Sequence, residues 1–239
     1  MRRFDAVVFD LFETLVTEFD PGWRPGPTTA DRLGVPNEVF NTVWRARHTD
    51  RMTSSVDFRD VLREVCSAAD CRVDATVART IQDLYDERLA AKAMPLKTVE
   101  PRLIGALQQL RQSGLRLAVL SNCSIEEIAA WDDSPLADLI DAAVFSWQLG
   151  IAKPEPAAFH NVCRAVGAAP HRVAFVGDGG SNELFGATAA GLTALRARWF
   201  LDRWPAARQR HALDRAPLCP EILQPEDLPA IVLDTTQPR

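Results

Sequence analysis

The sequence predicts an α/β fold: a parallel sheet with helices on both faces, interrupted by an all-helical insertion. Three observations predict it. After residue 101, short apolar runs alternate with helical stretches, which is the rhythm of βαβ units. Three of the apolar runs lead into polar residues: Val7-Val8-Phe9 into Asp10, Leu117 to Leu120 into Ser121, and Val173 to Val176 into Gly177-Asp178. Between Thr28 and Ala93 the apolar spacing is helical, without a convincing strand.

Taken in order, Phe4 to Phe9 reads as a strand buried on both faces, because its apolar residues do not alternate with polar ones. Residues 21–27, Pro-Gly-Trp-Arg-Pro-Gly-Pro, read as a turn-rich breaker. Val39, Phe40, Val43 and Trp44 have helical spacing, as do Phe58, Val61, Leu62 and Val65, and then Ile81, Leu84, Tyr85 and Leu89. Three or four helices are expected there, with Pro95 and Pro101 marking the exit. A helix from Leu103 to Gln112 stops at Ser113-Gly114. The strand Leu115 to Leu120 follows, then a helix start at Ser124, Glu126 and Glu127. Ala142 to Phe145 is a short strand, Pro154 to Val166 a helix, and Arg172 to Val176 a strand. Asn182 to Ala190 is a helix closed by Gly191, and Leu192 to Leu195 a further strand. The tail from Arg198 holds a basic helix-like stretch and a late apolar patch, Ile231-Val232-Leu233. Residues 1–16 and 96–239 are thus expected to form the sheet core, and 17–95 the helical insertion.

Composition narrows the function classes. The 239 residues are 47% hydrophobic and 25% charged, an ordinary globular balance. A net charge of -5 gives no electrostatic case for nucleic acid or an anionic membrane. No apolar run approaches the roughly 20 residues that span a bilayer. The start, MRRF, runs directly into a strand and does not resemble a signal peptide. Cys66, Cys71, Cys123, Cys163 and Cys219 are odd in number and lack CxxC spacing. That suits a reducing cytoplasm better than a disulfide framework or a zinc site.

Polar residues at the carboxyl ends of neighbouring parallel strands imply one crevice. Four stretches mark it: Asp10-Leu11-Phe12-Glu13-Thr14-Leu15, Leu120-Ser121-Asn122, Gly150-Ile151-Ala152-Lys153-Pro154 and Gly177-Asp178-Gly179-Gly180-Ser181-Asn182-Glu183. In this order they resemble the four motifs of the haloacid dehalogenase-like hydrolase superfamily. The resemblance covers about residues 4–196 and implies a Rossmann-like core. The insertion lies between the first and second motifs, where the superfamily carries its C1 caps. The resemblance makes Asp10 the nucleophile, which forms a covalent aspartyl intermediate. Mg²⁺ would be held by Asp10, the main-chain carbonyl of Phe12, Asp178 and Glu183, and would offset charge between carboxylate and phosphate. Ser121 would donate to a phosphoryl oxygen, Lys153 would balance negative charge, and Thr14 and Asn122 would join the substrate contacts.

Two positions depart from the pattern. Phosphatases of the superfamily carry an Asp as general acid and base where this chain has Phe12. Loss of such a group costs typically 10²–10⁴-fold. Glu183 stands where an Asp is common, one methylene longer. Glu13, Glu18 and His48 are candidates for a substitute acid. An aromatic at Phe12 also resembles the 2-haloacid dehalogenases, which need no leaving-group proton, but these lack the acidic fourth motif. Phosphonate-cleaving relatives use a cap lysine, and only Lys92 lies ahead of Pro95, with Lys97 just beyond it. The reading is therefore a Mg²⁺-dependent phosphatase of a small phosphorylated metabolite. The alternatives are a 2-haloacid dehalogenase-like hydrolase and a catalytically impaired metal- or phosphate-binding protein. Partners are confined to a small anionic substrate, met by the Arg45, Arg47, His48 and Arg51 cluster, in a monomer or homodimer.

Overall fold

The structure is a computed structural model that describes residues 2–19, 22, 26–214 and 219–233. Six parallel strands form one sheet: β1 (Ala6–Phe9), β2 (Arg116–Ser121), β3 (Ala142–Phe145), β4 (Val173–Gly177), β5 (Thr193–Ala197) and β6 (Glu221–Ile222). Their order is β3-β2-β1-β4-β5-β6. The chain starts at the centre, winds to one edge, then returns and winds to the other. This is the Rossmann-like α/β arrangement expected from the sequence, and it creates a switch point at β1.

Among the described residues, five helices follow β1 in the insertion: α1 (Thr29–Leu33), α2 (Asn37–Ala46), α3 (His48–Thr53), α4 (Phe58–Ala68) and α5 (Ala75–Lys97). The remaining helices are α6 (Pro101–Gln112), α7 (Ser146–Leu149), α8 (Pro156–Ala165), α9 (Glu183–Ala189), α10 (Ala206–Asp214) and α11 (Leu228–Leu233). Capping side chains start several of them. Thr28 caps α1, Asp57 caps α4 and Asp74 caps α5, each accepting from a main-chain N–H of the first turn.

Both faces of the sheet are covered, which explains the non-alternating strands. Val7 and Phe9 face a cluster with Leu103, Leu107 and Leu110 of α6 and Leu228 and Val232 of α11. Ala6 and Val8 face the opposite cluster, with Phe159 and Val162 of α8 and Leu184 and Ala187 of α9. The helices between β1 and β2 pack around a third cluster, which includes Phe58, Leu62, Val65 and Ile81.

Several boundaries differ from the sequence expectation. The insertion has five described helices, because α1 and α3 are too short to display periodicity. Pro95 does not end α5, which continues to Lys97. Leu96 is fully buried, and its carbonyl accepts from Ser134 Oγ at 2.6 Å, so packing carries the helix past the proline. Ser124 begins a single 3₁₀ turn, Ile125–Ile128, rather than a helix. The short strand β6 has no apolar run to announce it, and pairing of Ala197 with Ile222 defines it. The turn-rich stretch 21–27, Trp23 included, falls largely outside the described residues.

Gly186 marks a close contact between α9 and the chain after Lys153. A Cβ there would lie 2.6 Å from the Pro154 carbonyl oxygen and 2.8 Å from the buried Phe159 ring. Gly186→Ala is expected to cost about 1–3 kcal/mol, because neither neighbour is a flexible side-chain end. A lowered urea midpoint with an unchanged slope would show this, and an unchanged midpoint would refute it.

Candidate active site

The register explains why the polar residues meet. Phe9 pairs with Val119 on one side and with Val176 on the other. Asp10 is one step beyond Phe9, while Ser121 and Asp178 are two beyond those partners. All three therefore lie at the same carboxyl edge, around the central strand. The Asp10 N–H donates to the Val176 carbonyl at 2.9 Å, so the backbone holds Asp10 against β4.

Lys153 reaches this edge from a loop after α7. Asn122 fixes that loop with two bonds: its Nδ2 donates to the Lys153 carbonyl at 2.8 Å, and its Oδ1 accepts from the Lys153 N–H at 2.7 Å. The Lys153 Nζ then lies 2.5 Å from both Asp10 Oδ1 and Glu183 Oε2. Asp178 joins Asp10 and Glu183, the three offering oxygens within 4.8 Å of one another. Thr14, fully buried, donates to Asp10 Oδ2 at 3.3 Å, an orienting contact for the carboxylate. Ser121 Oγ is buried and has no hydrogen-bond partner among the described residues.

Glu183 opens α9, where a carboxylate suits the helix start. Its Oε1 accepts from the Gly179 N–H at 3.1 Å, while Oε2 accepts from Lys153. Gly177 makes this possible, since a Cβ there would overlap the Glu183 carboxylate. Glu13, Ser181 and Asn182 have left-handed backbone, with φ of 62°, 51° and 53°. Such strain within the loops after β1 and β4 is the kind held in place at functional sites. The Trp199 indole N–H donates to the Thr14 carbonyl at 2.8 Å, so the segment after β5 clasps the loop after β1.

Charge within the site is unbalanced. Three carboxylates face one ammonium. Burial and then Asp10 push the Asp178 carboxyl up to about 6. Burial and Asp10 likewise push Glu183 well above the usual carboxylate range. For Lys153, burial opposes the charge, but Asp10 and Glu183 outweigh it and raise its pKa. Carboxylate oxygens this close are the hard oxygen donors that Mg²⁺ takes. The donor set therefore fits a divalent ion.

The substitute acids proposed from sequence do not enter this centre. Glu13 is committed elsewhere, accepting from Thr17 Oγ1 at 2.6 Å, the Glu18 N–H at 2.9 Å and the Trp204 indole N–H at 2.8 Å. Burial raises its pKa. Glu18 pairs with Lys92 at 2.6 Å, and His48 is exposed. The basic cluster of the insertion is dispersed. Arg45 is exposed, and Arg47 pairs with Glu64 at 2.7 Å and Asp50 at 2.8 Å. Arg51 is buried. Burial pushes the Cys123 thiol far up, which suits a structural role.

Sequence reasoning missed a polar seam between α5 and the turn after β2. Arg88 reaches Glu126 at 2.9 Å and Glu127 at 3.1 Å, and Lys92 reaches Glu127 at 2.8 Å. Although burial opposes ionisation, Lys92 and Arg88 hold the Glu127 carboxyl down at about 2. The Lys92 Nζ lies 5.4 Å from the centre of the Phe12 ring. The spacing of Arg88 and Lys92, one helical turn apart, was the only signal in the sequence.

Comparison with known proteins agrees with the geometry. A sequence model of the haloacid dehalogenase-like hydrolases matches residues 4–191, and the chain belongs to that family of hydrolases. It is 27% identical over 178 residues to (S)-2-haloacid dehalogenase 4A of Burkholderia cepacia, covering 72% of this chain and 73% of that one. It is 30% identical over 195 residues to a phosphatase of Mycobacterium tuberculosis, covering 79% and 85%. The solved 2-haloacid dehalogenase of Pseudomonas syringae shares the fold, with a TM-score of 0.65 at 23% identity over 96% of this chain and 98% of that one.

The raised Asp178 pKa has a defined consequence for the metal-free protein. Its folded value of about 6 exceeds the ordinary 3.8, so the folded state binds more protons between these values. Stability from this group falls as pH rises through that window, and the penalty is complete above it. In chelator, Asp178→Asn is expected to raise the melting temperature at pH 7.5 and to leave it nearly unchanged at pH 4 (assay conditions, roughly spanning the window). An equal shift at both values would contradict the charge imbalance.

Proposed function

We propose that this hydrolase is a Mg²⁺-dependent phosphatase of a small phosphorylated metabolite, with Asp10 as nucleophile. The observation that supports it most is the carboxylate excess at Asp10, Asp178 and Glu183. Without a cation, this excess repels any anionic substrate, a haloacid included. Asp10, the Phe12 carbonyl and Asp178 would hold Mg²⁺, with Glu183 beside them. The bound ion would supply charge neutralisation for nucleophile and phosphate.

The chain's own groups supply the remainder. Asp10 attacks phosphorus in line, the bond from phosphorus to the leaving oxygen breaks, and an aspartyl phosphate forms. Lys153 and Thr14 fix the two oxygens of Asp10, so little reorganisation accompanies attack. Ser121 Oγ has a free hydrogen bond for a phosphoryl oxygen, and Asn122 keeps Lys153 in register. Water then attacks the aspartyl phosphate and releases phosphate. Phe12 can serve neither step as acid or base, so substrates with good leaving groups are favoured. The helices α1 to α5 act as the cap. The five cysteines, all unpaired thiols, support a cytoplasmic setting. No described helix is long and apolar enough to cross a membrane.

Dehalogenation is the second reading, favoured by one observation: Phe12 beside Asp10 suits a halide leaving group, which takes no proton. Measuring phosphate release from p-nitrophenyl phosphate and chloride release from (S)-2-chloropropionate, with Mg²⁺ and with chelator, separates the two. The expected result is Mg²⁺-dependent phosphate release that Asp10→Asn lowers at least about 10³-fold. Chloride release that persists in chelator would establish the second reading instead. Mg²⁺ binding with no turnover of either probe would indicate a binding protein.

A further inference from the structure

Helix α4 ends in a turn that brings two thiols together. The Asp70 N–H donates to the Ser67 carbonyl at 3.2 Å, and the Cys71 N–H donates to the Cys66 carbonyl at 2.8 Å. Asp70 between them has left-handed backbone, with φ of 51°. Those two bonds and that backbone define a Schellman motif, in which the residue after the left-handed one folds back onto the end of the helix. Its side chain then packs on the residue whose carbonyl its own N–H meets, a contact that apolar side chains frequently make. Here both residues are cysteines, and the Cys66 thiol hydrogen-bonds to the Cys71 sulfur.

The two sulfurs differ in their surroundings. Cys66 is fully buried in the cluster of Phe58, Leu62, Val65 and Ile81. Burial, then Cys71 beside it, push its thiol up to about 11, so it stays protonated and shielded. Cys71 packs at the rim of the same cluster and is partly exposed. Its thiol donates to the Leu33 carbonyl at the end of α1, 3.9 Å away, a weak bond that leaves the sulfur free to react. An accessible thiol poised against a protected one is the arrangement in which the first is oxidised and the second resolves the product.

We propose that Cys66 and Cys71 form a reversible dithiol–disulfide site in the helical insertion, with small hydroperoxides as the oxidant. The Cys71 sulfur attacks one peroxide oxygen, the O–O bond breaks, and the other oxygen leaves with the Cys71 proton as water or an alcohol. Cys71 is then a sulfenic acid. Cys66 attacks the Cys71 sulfur, the S–O bond breaks, and the hydroxyl leaves as water with the Cys66 proton. Two thiols have thereby given two electrons and two protons to one hydroperoxide. A small dithiol reverses the change by thiol–disulfide exchange. The turn already holds the sulfurs in contact, so the bridge closes without unwinding α4. The site is independent of the reaction assigned to the Asp10 centre.

Trypsin cleaves after Arg63 and Arg72, so the peptide of residues 64–72 carries both cysteines and no other. The native protein is treated with hydrogen peroxide, denatured in N-ethylmaleimide, digested and analysed by mass spectrometry. The expected product is this peptide without label and lighter by two hydrogens, at least about tenfold in excess of sulfenic or sulfinic acid at Cys71. Dithiothreitol before labelling should restore both labels. Cys66→Ser should leave Cys71 as a sulfenic acid that dimedone traps, and Cys71→Ser should leave Cys66 reduced. The oxidised protein should also melt at a higher temperature than the reduced one, since the native turn accepts the bridge and only the unfolded chain is constrained. Both cysteines still labelled after peroxide, or Cys71 carried to sulfinic acid with Cys66 still labelled, would overturn the proposal. A bridge that lowers the melting temperature would overturn it as well. The wild-type peptide and its melt decide the matter whether or not the variants fold.

Discussion

The Lys153 ammonium between Asp10 and Glu183 is the interaction on which the rest of the site depends. Its side chain is 2% exposed, and it lies 2.5 Å from each carboxylate. Breaking a buried pair by removing one partner typically costs about 3–5 kcal/mol, because the other charge is left uncompensated. Here two carboxylates would be left, with Asp178 beside them. The fold has to deliver Lys153 to this point from the far side of β2. Asn122 does so through the Lys153 backbone, so one side chain at the end of β2 fixes the approach of a loop from β3. Gly177 and Gly186 serve the same end by their lack of a side chain. One lets Glu183 lie against the strand end, and the other lets α9 approach Pro154.

Much of this could be read from the sequence, for identifiable reasons. The strands β1, β2 and β4 are buried on both faces, so each shows an unbroken apolar run, and the residue that ends the run is marked by its polarity. Asp10, Ser121 and Asp178 were found in that way. Lys153 ends no strand and was legible only through its resemblance to a family motif. The edge strand β6 was not legible, since two residues held by Ala197 pairing carry no pattern. Helix α5 was misjudged at Pro95, where tertiary packing of Leu96 overrides the local signal. The seam of Arg88, Lys92, Glu126 and Glu127 was hidden for another reason. Its members are far apart in the chain, and charged residues in helical segments usually face solvent. Only the packing of α5 on the turn after β2 reveals which of them are buried.

Phe12 gives the site its particular character. On the proposed phosphatase reading, Asp10 is the nucleophile, Ser121 the hydroxyl and Lys153 the balancing ammonium, while Phe12 offers no group for proton transfer at its position. Glu13, the nearest carboxylate in sequence, is spent on the Thr17–Glu18 turn and on Trp204. This separation has a kinetic meaning. On that reading, attack by Asp10 on a phosphate with a good leaving group needs no acid, but hydrolysis of the resulting acyl phosphate benefits from a base that Phe12 cannot supply. The second step should therefore be the slower one, and the covalent intermediate should accumulate.

The most direct measurement follows from that imbalance. The protein is mixed with Mg²⁺ and p-nitrophenyl phosphate, quenched in acid within the first turnover, digested, and analysed by mass spectrometry. The expected result is a phosphoryl group on the peptide that contains Asp10, absent when chelator replaces Mg²⁺. Phosphoryl transfer to any other residue, or phosphate release with Asp10 never labelled, would contradict it.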